Sequence, residues 1–398
     1  MNSILPFSYA AIDFIIDRNQ EPIFLEANDL SDGIYVLDII NKYLIENLNL
    51  TIKNNLNESL FDKFVYFFKS NYEIFSNGKQ LKETFIIYHN KYKKSVQTEE
   101  LIKIKNTFIS KGIQCEIFLP EELNIINNYI FDKKRNIFPQ AIFRRTSKFP
   151  YFNKNQLIIN DPRVRYVTAN KYITYITIKE YEKNNNIEIK QPYSILSKNI
   201  TEVFKAINFL KTEINSEYIV IKPNWLWGGQ GIIFVENESE AKCKLKEIDK
   251  LINPKFLNYS KLFIVQDYIN PFKIKDLNNK YYSFEIRAFL FNLEIIGLIG
   301  RIPKQFYETD KPERSNSISN ISSGGKWLPI IIEETQEIKI KEFYNDTIIN
   351  FKEPINSFAL VLPLYLYNKI IEISKKIVIA ISKKAKRITK SELDSIPF

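Results

Sequence analysis

Asp13, Glu26 and Asn28 place two carboxylates and an amide within short apolar runs at the start of the chain. Residues 9–16 (YAAIDFII) and 22–27 (PIFLEA) read as two strands around the polar turn Asp17-Arg18-Asn19-Gln20, a hairpin signature. Glu26 and Asn28 are two apart and share one face of their strand, and Asp13 on the paired strand can face them. Three hard oxygen donors of this kind suit Mg²⁺ bridging nucleotide phosphates. A solvated strand end is the alternative, because Glu-x-Asn is a common tripeptide.

A second group lies mid-chain, where Lys222-Pro223-Asn224-Trp225-Leu226-Trp227-Gly228-Gly229-Gln230-Gly231 joins strand 218–223 (YIVIKP) to strand 231–236 (GIIFVE). The chain holds only 10 glycines, so three within four positions are informative. Such a turn can lay backbone N–H groups against phosphate oxygens, with Lys222 reaching them as a point charge. No Gly-Lys-Ser/Thr follows, so it is not a P-loop, and a strand rather than a helix comes next, so it is not a dinucleotide fingerprint. A third group is Glu285-x-Arg287 with Arg301 on the next strand, which can stabilise transferring phosphoryl or acyl oxygens. The fourth, Asn320-Ile321-Ser322-Ser323-Gly324-Gly325-Lys326, offers N–H groups and hydroxyls to an anion. Each of the last two could equally be ordinary surface structure.

The elements that must position these groups follow from periodicity. A helix is expected over 33–47, with Ser31 or Asp32 as N-cap, and a polar linker near 52–58. Next come a helix near 58–69, strand 84–89, a helix near 98–111, and strands 114–119 and 141–146. Strands alternating with helices predict a small open α/β unit with a mainly parallel sheet. Ligands bind such units at the carboxyl ends of strands, which makes His89, Asn90, Arg144 and Arg145 candidate substrate contacts. The alternative is a strand-capping His89 and solvent-facing arginines. Residues 166–215 read as helix, strand and helix; a helix near 238–252 precedes strand 262–269. Two strands (SFEIRAFLFN and EIIGLIGRI), a polar loop over 303–325 and a helix near 364–385 complete the chain.

Composition bounds the rest. With 398 residues, 45% hydrophobic and 14% aromatic, the chain can bury two or three packed units. Lys plus Arg number 56 against 46 Asp plus Glu, a net +10 that suits a polyanion such as nucleic acid, a membrane surface or a nucleotide triphosphate. The lysines are scattered without a dense basic block, so nucleic acid is not the expected partner. Cys115 and Cys243 are too few and too far apart for a disulfide framework or a zinc site. The N-terminus lacks a basic n-region, and no apolar run approaches the roughly 18 residues of a membrane span. A cytoplasmic protein with no membrane partner is expected.

Taken together, VIKPNWLWGGQGI, VQDYI, FEIRAFL, GRIPK, NISSGG and AIDFIIDRNQEPIFLEAN resemble the ATP-grasp superfamily, notably bacterial glutathione synthetases and peptide ligases. LIINDPRVRYVTANKYITY at 157–175 resembles the segment before their first ATP-binding Lys. In those enzymes the acidic hairpin follows the Ser-Gly-Gly loop and a long helix, whereas here it opens the chain, which implies a circular permutation. The implied fold class is α/β (α+β ATP-grasp): two α+β lobes clasping ATP plus a small open α/β unit. The implied boundaries are 1–50 for the metal-binding hairpin and helix of the C-terminal lobe, 51–165 for the preceding α/β domain, 166–268 for the N-terminal lobe with its lid, and 269–398 for the remainder of the C-terminal lobe.

The resemblance also implies roles. Lys171 and Lys222 would contact ATP phosphates beneath a mobile Gly228, Gly229 and Gly231 lid, and Gln266, Asp267, Tyr268 and Ile269 would form the adenine hinge. Arg287, Arg301 and Asn320 would hold phosphate and acyl phosphate oxygens, and Asp13, Glu26 and Asn28 would bind two Mg²⁺ ions. Glu285, where Asp is more usual, and Trp225 and Trp227 in the lid depart from the pattern. The implied activity joins a small-molecule or peptide carboxylate, with a precursor peptide as one candidate, to an amine through an acyl phosphate, releasing ADP and phosphate, in a homo-oligomer. A non-catalytic nucleotide- or peptide-binding module derived from the same fold is the alternative.

Overall fold

The computed structural model describes residues 4–48, 59–89, 95–127, 129–132, 134–147, 155–226, 228–246, 262–276, 278–342, 355–356 and 358–394. Asn90 and Trp227 lie outside them, as does the latter half of the helix expected over 238–252.

In chain order, β1 (Tyr9–Ile16) and β2 (Pro22–Asn28) lead into α1 (Ile34–Leu48). Then follow α2 (Leu60–Phe75), β3 (Glu83–Tyr88), α3 (Val96–Ser110), β4 (Gln114–Phe118), β5 (Leu123–Ile126), β6 (Tyr129–Asp132), β7 (Ala141–Arg145) and β8 (Leu157–Ile159). The middle contains α4 (Pro162–Ala169), α5 (Lys171–Asn185), β9 (Ser194–Ser197), α6 (Ile200–Thr212), β10 (Ile219–Pro223), β11 (Ile233–Val235), α7 (Glu238–Leu245) and β12 (Phe263–Asp267). The last part contains β13 (Lys273–Lys275), β14 (Tyr281–Ser283), β15 (Glu285–Phe291), β16 (Glu294–Ile302), α8 (Arg314–Ser317), β17 (Lys326–Leu328), β18 (Ile330–Glu333), β19 (Lys339–Glu342), β20 (Phe358–Pro363), α9 (Leu364–Ala385) and α10 (Lys390–Asp394).

Three sheets position the site. A five-stranded antiparallel sheet has the order β17-β16-β15-β1-β2, so the opening hairpin pairs with strands nearly 300 residues on. A four-stranded antiparallel sheet runs β11-β10-β12-β9, and β4-β3-β7-β8 are parallel throughout, as the alternating pattern predicts. The small hairpins β5–β6 and β13–β14 and the β18-β20-β19 sheet are additions to the elements expected from periodicity.

β1 is almost wholly buried because α-helical and aromatic side chains cover both sheet faces. On one face Tyr9 meets Phe64, Phe143 and Phe291 at 5.4–6.0 Å between ring centres, within a core continuous with the parallel α/β unit. On the other, Phe14 and Ile12 share a core with α4, α5 and the amphipathic α9. The side-chain amide of Asn160 at the end of β8 ties these parts together: its oxygen accepts from the Ser8 and Tyr9 amides at 2.9 and 2.8 Å, and its nitrogen donates to the Tyr9 and Asp29 carbonyls. Phe7 N donates to Ser382 Oγ on α9 at 3.2 Å, which anchors the start of the chain to its last long helix.

Two local expectations are corrected. The first amides of α1 are not capped by Ser31 or Asp32; Gly33 N and Tyr35 N both donate to Glu100 Oε2 of α3, at 3.1 Å. Ser31 is held instead by Arg287 and Asp32 by Arg145, so neither side chain is available to its own helix. The 303–325 segment is not structureless either: it contains α8 and the short turn Ile321–Ser323.

Candidate functional site

The hairpin turn forms as its residues dictate. Asp17 Oδ1 accepts from the Asn19 and Glu21 amides at 2.9 and 2.8 Å, and Gln20 takes a left-handed φ of 60°. Above the turn, Asp13 stands opposite Glu26, but Phe14 stands opposite Phe24, so Leu25 is an extra residue in a β-bulge. Bulges re-aim side chains beside functional sites. Here Asp13, Leu25 and Glu26 all line one cleft with Lys171, Lys222 and Glu285.

Cross-strand register explains the charge arrangement. Asp13 pairs with Arg287 across β1 and β15, and Glu285 pairs with Arg301 across β15 and β16. Arg287 donates from Nε and Nη2 to the two Asp13 oxygens, each at 2.7 Å, and from Nη1 to Ser31 Oγ at 2.8 Å. Arg301 Nη2 reaches Asp13 at 2.9 Å and Glu285 at 2.6 Å, and its Nη1 lies 3.4 Å from Asn320 Oδ1. Burial by itself would raise the Asp13 carboxyl, but the two guanidinium groups outweigh it and hold the acid well below the usual range. Glu285 moves the other way: burial, with Asp13 and Glu26 nearby, pushes it up against the pull of Arg301. Asn28 Nδ2 donates to Asp13 at 3.3 Å and to Glu26 at 3.2 Å.

The opposite wall carries the lysines. Asn170 caps α5 by accepting from Ile173 N at 2.9 Å, which puts Lys171 at the first helical position. Asn224 locks that position to the end of β10: its Oδ1 accepts from Tyr172 N at 2.9 Å and its Nδ2 donates to Asn170 Oδ1 at 3.0 Å. Lys171 Nζ donates to the Leu226 carbonyl. Desolvation pulls the Lys171 pKa down to about 8 against the attraction of Glu26, and it lowers Lys222 as well.

The Gly-rich turn closes over this wall with left-handed φ of 65°, 72° and 67° at Gly228, Gly229 and Gly231, conformations that side chains disfavour. Gly228 and Gly229 line the cleft, and Gly231 completes the turn behind them. At the far end Gln266, Asp267, Tyr268 and Ile269 line the cleft with the apolar Val220, Leu226 and Phe234. Gln266 Nε2 donates to Ser194 Oγ at 2.5 Å, and burial pushes Asp267 up to about 6. The cleft encloses about 960 Å³ of empty space, part of it open to solvent. Its lining is apolar at the Val220, Leu226 and Phe234 end and charged at the Asp13, Glu26, Lys171 and Lys222 end.

Of the candidate residues, Asp13, Glu26, Lys171, Lys222, Gly228, Gly229, residues 266–269 and Asn320 all line this single cleft. Arg287, Arg301 and Asn28 stand directly behind them. Arg144 and Arg145 do not face solvent, and both are committed to partners in the protein. Arg144 is fully buried against Asp29, Asn160 and Thr146, and Arg145 is buried against Asp32 and Glu100. His89 is exposed at the end of β3, outside the cleft lining, with its ring 4.8 Å from that of Tyr88. The sequence reading missed Asp29, which follows Glu26-Ala27-Asn28 and binds Arg144, Arg165 and Thr168. Its place beside two candidate ligands was the available signal.

No family model matches the chain. It is 26% identical over 200 residues, 50% of this chain, to a tetrahydromethanopterin:alpha-L-glutamate ligase from Methanocaldococcus jannaschii. It is 25% identical over 270 residues, 65% of this chain, to a protein named for the chaperone PpiD from Buchnera aphidicola. The matches span 57% and 42% of those relatives' lengths. A solved structure named for a gamma-glutamylcysteine synthetase from Methylobacillus flagellatus KT superposes with a TM-score of 0.59 at 10% identity, over 96% of this chain and 90% of the other. The chain has the ATP-grasp fold. In ATP-grasp terms, the β11-β10-β12-β9 sheet and the β17-β16-β15-β1-β2 sheet are the two walls that face each other across the cleft. No helix among the described residues is long and apolar enough to cross a membrane.

Proposed function

We propose that this protein is an ATP-dependent carboxylate–amine ligase working through an acyl phosphate. The observation that carries the reading is the shared cleft: Asp13 and Glu26 from the first hairpin face Lys171 and Lys222 from mid-chain, with an apolar slot at one end. The adenine would occupy the slot beside Gln266 to Ile269. The phosphates would lie along the two lysines under the Gly-rich turn, where desolvated ammonium groups gain most from an anion.

The donor chemistry fits Mg²⁺. Among the described residues no three acidic, His or Cys side chains form a closed metal site. Mg²⁺ takes few protein ligands, with waters and substrate phosphates filling the rest of its octahedron. Glu26 would hold it with Asp13 and Asn28, whose amide would turn its oxygen toward the ion. Glu26, which is not paired with either arginine, is the carboxylate most open to a cation. Bound there, the metal supplies charge neutralisation between the phosphates.

In this reading the substrate carboxylate attacks the γ-phosphorus and ADP leaves. Arg301, Arg287 and Asn320 orient and stabilise the phosphoryl and acyl oxygens as charge moves onto them. The amine then attacks the acyl carbon, the tetrahedral centre expels phosphate, and the amine proton passes to solvent or phosphate. Positioning and charge stabilisation do this work without a protein nucleophile.

We also read the order of segments as a circular permutation. The pairing of β1 with β15 and the bond from Phe7 to Ser382 support it.

Amine-dependent ADP release, screened against amino acids and peptides with MgATP, tests the ligase reading. Absence of MgATP binding by the wild-type protein overturns it.

A further inference from the structure

Residues 303–325 leave β16, cross the mouth of the cleft and return to β17. Along the way they grip the opposite lobe at three places. Tyr307 Oη lies 3.0 Å from Tyr268 Oη and 2.9 Å from Ser317 Oγ. Lys311 pairs with Glu236 at 2.8 Å and Glu240 at 3.5 Å. Arg314 Nη1 donates to the main-chain carbonyls of Gly229, at 2.6 Å, and Ile232, at 3.4 Å.

The third contact is unlike the others. Arg314 is partly buried, and burial lowers its pKa, yet no carboxylate among the described residues pairs with it. Arg314 thus spends its hydrogen-bond donors on the backbone of the turn rather than on a counter-ion. Its own segment is braced to present it: Glu313 N donates to Asn316 Oδ1 at 2.7 Å, Asn316 Nδ2 to the Lys311 carbonyl at 3.2 Å, and Gln305 N to the Ser315 carbonyl at 3.0 Å.

Arg314 itself does not line the cleft, whereas Gly229 and Gln230 do. In a planar trans peptide the C=O and the following N–H point in opposite directions. A Gly229 carbonyl drawn toward Arg314, behind the turn, therefore turns the Gln230 N–H toward the cleft. The one other donor to that carbonyl among the described residues is Ile232 N, at a long 3.5 Å, so the 2.6 Å bond from Arg314 is the stronger hold on it. We propose that Arg314 is a positioning residue that sets the Gly229–Gln230 peptide so that its N–H, rather than its carbonyl, meets the phosphoryl groups of a bound nucleotide. The proposal rests on the nucleotide reading of the cleft for its ligand, but not for the geometry of the turn.

Two measurements on the full-length protein test it. The first is hydrogen exchange at Gly228 to Ile232 without nucleotide, in wild type, Arg314→Ala and Arg314→Lys. Loss of a charged hydrogen bond predicts roughly 10-fold faster exchange there in Arg314→Ala, with β15 and β16 unchanged. Arg314→Lys, which can still donate to Gly229, is expected to recover most of the protection.

The second compares MgATP with adenosine. Arg314→Ala weakens MgATP by about 10-fold and adenosine by less than about twofold, because only the phosphates meet the turn. Wild-type exchange in the turn of Arg314→Ala, or equal loss of both ligands, overturns the proposal. If the wild type binds no MgATP, the nucleotide reading fails, and the exchange comparison still decides whether Arg314 orders the turn.

Discussion

Arg287 holds Asp13 at two points, Nε to Oδ1 and Nη2 to Oδ2, both at 2.7 Å, across 274 residues of chain. Arg301 adds a third bond at 2.9 Å. Asp13 is thus enclosed by guanidinium groups, and Glu26, its cross-strand neighbour, is the carboxylate whose charge acts on both Lys171 and Lys222.

Asp13→Asn is therefore expected to destabilise the fold strongly, because it leaves buried Arg287 without its counter-ion and takes from Arg301 one of its two carboxylate partners. Breaking a buried pair in this way costs about 3–5 kcal/mol. The same contact shapes acid stability. The folded-state pKa of Asp13 lies below its unfolded value, so its contribution is present above pH ~4 and is lost as pH falls toward the folded value. Urea titrations should show the wild type losing stability below pH ~4 more steeply than Asp13→Asn. Equal stability of the two proteins at neutral pH would contradict the buried ion pair.

Glu26→Gln should separate chemistry from folding. Glu26 is only partly buried and is not the counter-ion of either arginine, so the melting temperature should stay near wild type. Mg²⁺-dependent ADP release should fall by about 100-fold or more, as a metal-binding oxygen is replaced by a neutral amide. Wild-type turnover in this variant would reject the metal assignment.

Nucleotide binding should take up a proton above pH 8. Lys171 has a pKa of about 8 in the free cleft, so it is largely neutral at pH 9. Phosphate beside it favours the ammonium form, which raises the pKa and draws in a proton on binding. MgATP affinity should accordingly weaken as pH rises through about 8. Calorimetry in two buffers of different ionisation enthalpy at pH 9 would show the uptake, and Lys171→Met would remove it. Identical uptake in Lys171→Met would assign the proton elsewhere.

Gly229→Ala should weaken nucleotide binding without unfolding the protein. A Cβ there would sit 2.9 Å from Ile318 Cγ2 and 3.2 Å from Asn320 Nδ2, at a left-handed φ of 72°. The strain of about 1–2 kcal/mol for a left-handed side chain, added to the contact, should push the turn away from the 303–325 segment. A dissociation constant for MgATP raised about 10-fold is the expected reading, and an unchanged constant would show that the turn takes no part.

The local half of this site was legible in the residues themselves. Glu26 and Asn28 share a strand face, Lys222 ends a strand, and a three-glycine turn follows it, because strand alternation and glycine's freedom are properties of a few consecutive residues. The parallel unit was legible for the same reason, from strands alternating with helices. Arg144 and Arg145 show where that reading stops. Their position at the carboxyl end of a strand suggested substrate contact, yet they are consumed by Asp29, Asp32 and Glu100, which lie 45 to 115 residues away in the chain.

Only the tertiary structure decided which charges are neutralised and which remain open to a ligand. The amino-acid sequence determined that an acidic hairpin, two lysines and a flexible glycine turn exist. The packing of distant segments determined that Asp13 meets Arg287, that Glu26 faces the lysines and that Arg314 stands behind the turn. The reason is physical: a charge taken out of water must find partners within a few ångströms, and those partners are supplied by whatever the folded chain brings near, not by its neighbours in sequence.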